Sequence, residues 1–140
     1  MVVLDTNVLS ELMRPVPEPC VVDWLDAQEV SAVAITSVTV AEILYGIQRL
    51  PTGKRQRALA LSAAAMFEED FADRILSFDA DAAVHYAERV AASEARGRHV
   101  HMADAQIAAI SLRHQAMLAT RNIKDFAPLG VTLVNPWEHI

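Results

Sequence analysis

Residues 1–4, Met-Val-Val-Leu, form an unbroken apolar run that stops on an acid, Asp5, after which apolar residues recur at helical spacing. A run that is apolar at every position suits a strand covered on both faces, because successive side chains point to opposite sides of a sheet. The same grammar then repeats along the chain. Val8, Leu9, Leu12 and Met13 make a helical stripe that Arg14-Pro15, Pro17 and Pro19 terminate. A short helix over about 21–27 precedes a second apolar run at 32–35. Val40, Ile43, Leu44, Ile47 and Leu50 form the next stripe, closed by Pro51 and Gly53. Helices are expected over about 54–70 and 80–95, with a weak helix-or-strand segment at 75–78 between them. A helix over about 102–114 carries Ile107, Ile110 and Leu112, and strands at 117–120 and 131–134 follow, the last stopped by Asn135-Pro136. Strands separated by helices demand parallel crossovers, so the expected class is α/β, a three-layer α/β/α sandwich with a central parallel sheet.

At 140 residues the chain is expected to be one domain, 1–140, large enough to bury roughly 68–70% of its unfolded surface. A 53% hydrophobic, 21% charged composition describes a compact core rather than disorder. No apolar run approaches the ~20 residues that span a bilayer, and no basic segment precedes Asp5 as in a signal peptide. One cysteine, Cys20, cannot form an internal disulfide, so a cytoplasmic location without membrane association is expected. The net charge of −6 opposes non-specific coating of nucleic acid. Two local basic clusters remain, Arg49 with Lys54, Arg55 and Arg57, and Arg96 and Arg98 with His99 and His101. Each is readable either as solvated helix ends and loop or as phosphate contact.

In a parallel sheet, ligands bind beyond the carboxyl ends of the strands, and four acids fall near that edge. Asp5 follows the first strand, Glu42 lies one turn into the helix after the second, Asp104 opens a helix, and Asp125 follows the strand at 117–120. Singly, each has a structural reading. Asp5 could cap a helix, Thr39 to Glu42 matches a capping box, Asp104 could complement a helix dipole, and Asp125 could cap the short turn around it. Together, Asp5, Glu42 and Asp104 stand out because apolar residues flank them, unlike Glu68, Glu69, Asp70 and Asp73. Carboxylates crowded at a partly buried site repel one another, and a hard divalent cation, Mg²⁺ with Mn²⁺ able to substitute, resolves that conflict. His99 and His101 lack partners at zinc spacing. Glycines at 46, 53, 97 and 130 permit neither a phosphate-binding loop nor a dinucleotide fingerprint. No serine elbow is present, and Asp5-Thr6-Asn7 lacks the second Asp of an aspartyl-phosphate enzyme. Metal-assisted hydrolysis by an activated water remains.

Four segments, "VVLDTNVLSEL", "ITSVTVAEILYGI", "MADAQIAAIS" and "LATRNIKDF", resemble in order and spacing a PIN-domain ribonuclease of the VapC type, the toxin of bacterial VapBC toxin–antitoxin modules. The resemblance covers nearly the whole chain. It implies that Asp5, Glu42 and Asp104 form a Mg²⁺-holding triad and that Thr6 and Asn7 support it. The fourth acidic position departs from the fully acidic pattern, since Asn122 stands where some members place Asp, and Asp125 lies three residues on. Asp125 is favoured as the fourth carboxylate, with Thr120 and Asn122 as supporting groups. The resemblance further implies an RNA substrate, a homodimer and a cognate VapB-type antitoxin through which DNA is contacted indirectly. Arg121, Arg98 and His101 are the candidates for contact with the RNA backbone. Alternative readings are a PIN fold used as a non-catalytic interaction module, or a metal-dependent phosphatase or DNA nuclease using the same acids. The apolar residues Leu9, Leu12, Met13, Val21, Val22, Trp24 and Leu25 are either ordinary core or a groove for a dimer partner or antitoxin helix.

Overall fold

The computed structural model describes residues 1–138. Five parallel strands, β1 (Val2–Leu4), β2 (Val33–Thr36), β3 (Ile75–Leu76), β4 (Met117–Ala119) and β5 (Leu133–Val134), lie in the order β3-β2-β1-β4-β5. Seven helices connect them: α1 (Thr6–Leu12), α2 (Pro19–Asp26), α3 (Ser37–Gln48), α4 (Lys54–Ala65), α5 (Ala80–Ala95), α6 (Met102–Arg113) and α7 (Ile123–Phe126). This is the expected α/β/α sandwich.

The continuous apolar runs are explained by two cores, one on each face of the sheet. Val2 and Leu4 point into a cluster with Leu9, Trp24, Ile35, Ile43, Ile47 and Phe67, which α1 to α4 cover. Val3 points the other way, into a cluster with Ala105, Ile107, Leu118, Phe126 and Leu129, under α5, α6 and α7. The period-2 alternation of a strand thus fills both layers from a three-residue segment.

Boundaries differ from the sequence expectation where caps and turns decide them. The helix expected over 54–70 is α helix only to Ala65; Met66–Asp70 widens into a π turn, and Phe67 and Phe71 are buried there. The segment at 75–78 resolves as a two-residue edge strand. Asn122 turns the chain after β4 into α7, a single helical turn where the sequence predicts only a short turn. Among the described residues, no helix is long and apolar enough to cross a membrane.

The strand order fixes the location of the site. The chain moves from β1 outward to β3 on one side, then returns to place β4 against the other side of β1. The sheet therefore reverses its winding between β1 and β4, and the crevice beyond their carboxyl ends is the topological switch point. Asp5 follows β1 and Thr120 follows β4.

Candidate active site

Asp5 sits at the switch point, with only 4% of its surface exposed. Its backbone N–H donates to the Ala119 carbonyl at 2.9 Å, continuing the β1–β4 ladder one residue past the strand. One carboxylate oxygen, Oδ1, accepts the Thr6 amide at 2.8 Å, so Asp5 does cap α1. The other, Oδ2, accepts the Thr120 hydroxyl at 2.7 Å, tying β1 to β4 across the crevice. Two of its lone-pair positions are used and the others are open to a further ligand. Burial is the main reason its pKa rises from 3.8 to about 6, against the lowering by Thr120 and Thr6, and the charges of Asp104 and Glu42 push it further up. A carboxylate in this position is short of a positive neighbour.

Glu42 does not act as a capping box. The N-cap of α3 is Thr36, whose hydroxyl accepts the Thr39 amide at 3.1 Å, and Glu42 lies in the second turn. Its Oε1 accepts the Thr6 hydroxyl at 2.7 Å. With that proton committed to the carboxylate, the 3.0 Å contact between Thr39 Oγ1 and Thr6 Oγ1 must be donated by Thr39. Thr6 therefore holds the first acid through its amide and the second through its hydroxyl. The fully buried Thr39 and Thr36 stand behind it.

Asp104 occupies the first turn of α6, half-buried. Desolvation raises its pKa, the charges of Asp125 and then Glu42 raise it further, and His101 opposes them. These mutual influences place Asp5, Glu42, Asp104 and Asp125 within one electrostatic neighbourhood. Asp125, on α7, also lines a cleft together with Asp104. Asn122 is exposed, and its amide N–H rather than its side chain is engaged, donating to Thr120 Oγ1 at 3.0 Å. Thr120 also receives a long 3.4 Å contact from Asn7 Nδ2, while Asn7 Oδ1 accepts the Arg121 amide. Asn7 thus braces the end of β4 rather than pointing at the acids.

The donor set fits Mg²⁺ or Mn²⁺ in kind: carboxylate oxygens alone, around a buried acid that forms no ion pair among the described residues. It is not closed in space. Among the described residues, no three Asp, Glu, His or Cys side chains converge as a metal-holding group. Glu42 is turned onto Thr6, as expected when repelling carboxylates each take the nearest donor.

The basic candidates divide. Arg121 lies with its guanidinium 4.9 Å above the Trp137 ring and lines, with Asn122, Lys124 and Asp125, a neighbouring cleft that does not include Asp104. Arg98 and His101 do line the cleft that Asp104 shares with Asp125, His99 of the same basic cluster lines it too, and Lys124, not singled out from the sequence, joins them. Thr39 and Thr36 were also missed; their signal was the Thr36-Ser37-Val38-Thr39 spacing, which put two hydroxyls one helical turn apart at a strand end. The apolar set splits as well. Val21, Trp24 and Leu9 are core, while the half-buried Leu12, Met13 and Leu25 line, together with Leu9, Phe71 and Arg74, a groove of about 480 Å³.

Comparison with known proteins agrees with this architecture. Residues 2–129 match the PIN domain family. Plasmid stability protein StbB of Pseudomonas syringae pv. tomato is 44% identical over 138 residues, 99% of each chain. VapC ribonuclease Y4jK of Sinorhizobium fredii is 38% identical over 138 residues, again 99% of each chain. The solved structure of FitAcB from Neisseria gonorrhoeae superposes with a TM-score of 0.93 at 37% identity, covering 99% of both chains.

Proposed function

Because the chain belongs to the PIN domain family, we propose that it is a Mg²⁺-dependent endoribonuclease, the toxin of a type II toxin–antitoxin pair. The observation that carries this reading is Asp5, a buried acid at the switch point whose pKa is pushed up to about 6 by burial and by Asp104 and Glu42. An acid perturbed by burial and by charged neighbours at a cleft marks a candidate functional site, and its place at the switch point agrees with that.

Asp5, Glu42 and Asp104 would hold the cation, with Asp125 as the fourth carboxylate. When bound there, Mg²⁺ supplies charge stabilisation to phosphodiester oxygens and lowers the pKa of water. The remaining work belongs to the chain. Thr120 and the Thr6 amide fix the Asp5 carboxylate in one orientation. The Thr6 hydroxyl holds Glu42 at the same edge until a cation competes for it. Oriented partners of this kind typically change metal affinity or activity by about 10–100-fold when lost. Burial of Asp5 excludes bulk water from one side of the site, which strengthens every charge interaction there.

Relatives named as ribonucleases support the substrate class, and relatives solved as FitAB and VapBC complexes support an antitoxin partner. For this chain the surface that suits an antitoxin's amphipathic helix is the apolar groove along Leu9, Leu12, Met13 and Leu25. A homodimer completes the proposed assembly.

The test is a comparison of substrates. RNA, single-stranded DNA and a small phosphomonoester are incubated with the purified chain in Mg²⁺ and in EDTA. The proposal expects cleavage of RNA alone, abolished by EDTA. Cleavage of DNA or the monoester in preference to RNA would move the site to another hydrolase class. Inert behaviour toward all three, without metal binding, would favour a non-catalytic interaction module.

A further inference from the structure

One wall of the acidic site is cationic, on a chain whose net charge is −6. Arg98, His99, His101 and Lys124 line a cleft of about 320 Å³ whose other side carries Asp104 and Asp125. The volume is about ten times the roughly 30 Å³ share of a liquid water, enough for a hydrated phosphate and part of its sugar. Among the described residues, the ion pairs involve Arg14 and Arg113, so the charged ends of Arg98 and Lys124 are not engaged by any acid. That separates them from neighbouring cations that the fold employs itself. Arg96 donates to the Pro128 carbonyl at 2.8 Å, and Arg121 stacks over Trp137.

The wall is built rather than draped. Helix α5 ends with Gly97 at φ +75°, the left-handed turn that glycine adopts without steric cost. Gly97 N–H donates to Glu94 O at 2.9 Å and Arg98 N–H to Ser93 O at 3.0 Å, the paired bonds of a Schellman stop. The fully buried Ser93 hydroxyl then donates to the Arg98 carbonyl at 2.9 Å. Arg98 is therefore clamped through both its backbone groups while its side chain is exposed. Four residues later α6 begins at Met102 with no side chain capping its first amides, at the end of the helix that carries His101 and Asp104.

An RNA strand approaching four carboxylates is repelled unless cations hold its neighbouring phosphates. We propose that this cleft, formed by Arg98, His99, His101 and Lys124 beside Asp104, is a subsite for a backbone phosphate adjacent to the one cleaved. The inference rests on the ribonuclease reading and adds where the neighbouring phosphate sits, at the start of α6 between Arg98 and Lys124.

The experiment measures binding of a short mixed-sequence single-stranded RNA in an Asp5→Asn background, where nothing is cut, as a function of salt. Each phosphate contact on a single strand contributes a slope of about −0.7 in log K against log salt. Adding Arg98→Ala and Lys124→Ala together should flatten the slope by about 0.7 to 1.4, whereas Arg121→Ala should leave it unchanged. In the otherwise native chain the same double variant should raise KM about 10-fold or more with a smaller change in kcat, and calorimetric Mn²⁺ affinity should not weaken. An unchanged salt slope in the double variant, with RNA still cut by the native chain, overturns the subsite and spares the ribonuclease reading. An equal flattening by Arg121→Ala also overturns it, because the effect would then be one of general surface charge. Failure of the native chain to bind or cut RNA removes both. Loss of an acidic protein partner with RNA binding intact would reassign the cleft to that partner.

Discussion

Replacing Asp5 with Asn removes a charge that the fold holds at a cost, and its surroundings set the size of that cost. The side chain is 4% exposed, and burial with two acidic neighbours lifts its pKa from 3.8 to about 6. That rise is roughly two units, equivalent to about 3 kcal/mol against the ionised native state. The sign follows from proton linkage. Between about pH 4 and pH 6 the native chain keeps a proton on Asp5 that the unfolded chain has released, so stability falls as pH rises across that window and the deficit is complete above it. Asn carries no such deficit. It keeps an oxygen for the Thr6 amide but offers Thr120 an amide in place of a carboxylate, which returns about 1 kcal/mol. The net expectation for metal-free Asp5→Asn at pH 8 is a gain of about 2 kcal/mol, or roughly 6 °C in Tm for a chain of this size. Thermal unfolding followed by circular dichroism in EDTA, from pH 4.5 to pH 8, reads it directly. The gap between variant and native chain should open as pH rises to 6 and then stay constant. Mg²⁺ should narrow it by stabilising only the native chain. A variant no more stable than the native chain at pH 8, with a pH-independent gap, would refute the claim that Asp5 is a strained acid.

Further expectations follow from the partners of the acids and from the core. Thr120→Val strips the buried Asp5 of its hydroxyl donor, so RNA cleavage at pH 7 should fall about 10–100-fold and the acid limb of the pH–rate profile should move to higher pH. Glu42→Gln should weaken Mn²⁺ binding at least about 10-fold by calorimetry while leaving Tm in EDTA within about 1 kcal/mol of native, because Glu42 is exposed. Phe126→Ala, at a fully buried position between α7 and the sheet, should cost about 3–5 kcal/mol in chemical denaturation. Leu12→Asp should leave RNA cleavage intact but abolish capture of the antitoxin, since Leu12 lines the groove and not the acidic site.

The parallel sheet was readable because Val2, Val3 and Leu4 are apolar without alternation, which only a strand packed on both faces requires. The acids were readable for a related reason. Asp5 directly follows a buried strand, so its position in space follows from that strand, and Glu42 is carried to the same edge by the helix that begins where β2 ends. What escaped the sequence depends on contacts between distant segments. Lys124 gains its place beside Asp104 only when α7 folds against α6, which no local pattern announces. Arg121 lies just past β4, one residue beyond Thr120, and its guanidinium stacks over the distant Trp137 ring, a contact equally hidden from local pattern. Thr36 and Thr39 were overshadowed by the capping-box pattern at Thr39 and Glu42, and the true cap lies three residues earlier.

The central claim is that Asp5, at the switch point of the sheet, is part of a metal-holding site that cuts RNA. The measurement that tests it most directly is the initial rate of RNA cleavage in Mg²⁺ by the native chain and by Asp5→Asn, with thermal unfolding showing both to be folded. A native rate that EDTA abolishes, together with a fall of at least about 100-fold in the folded variant, is the predicted result. Undiminished cleavage by a folded Asp5→Asn chain would contradict it.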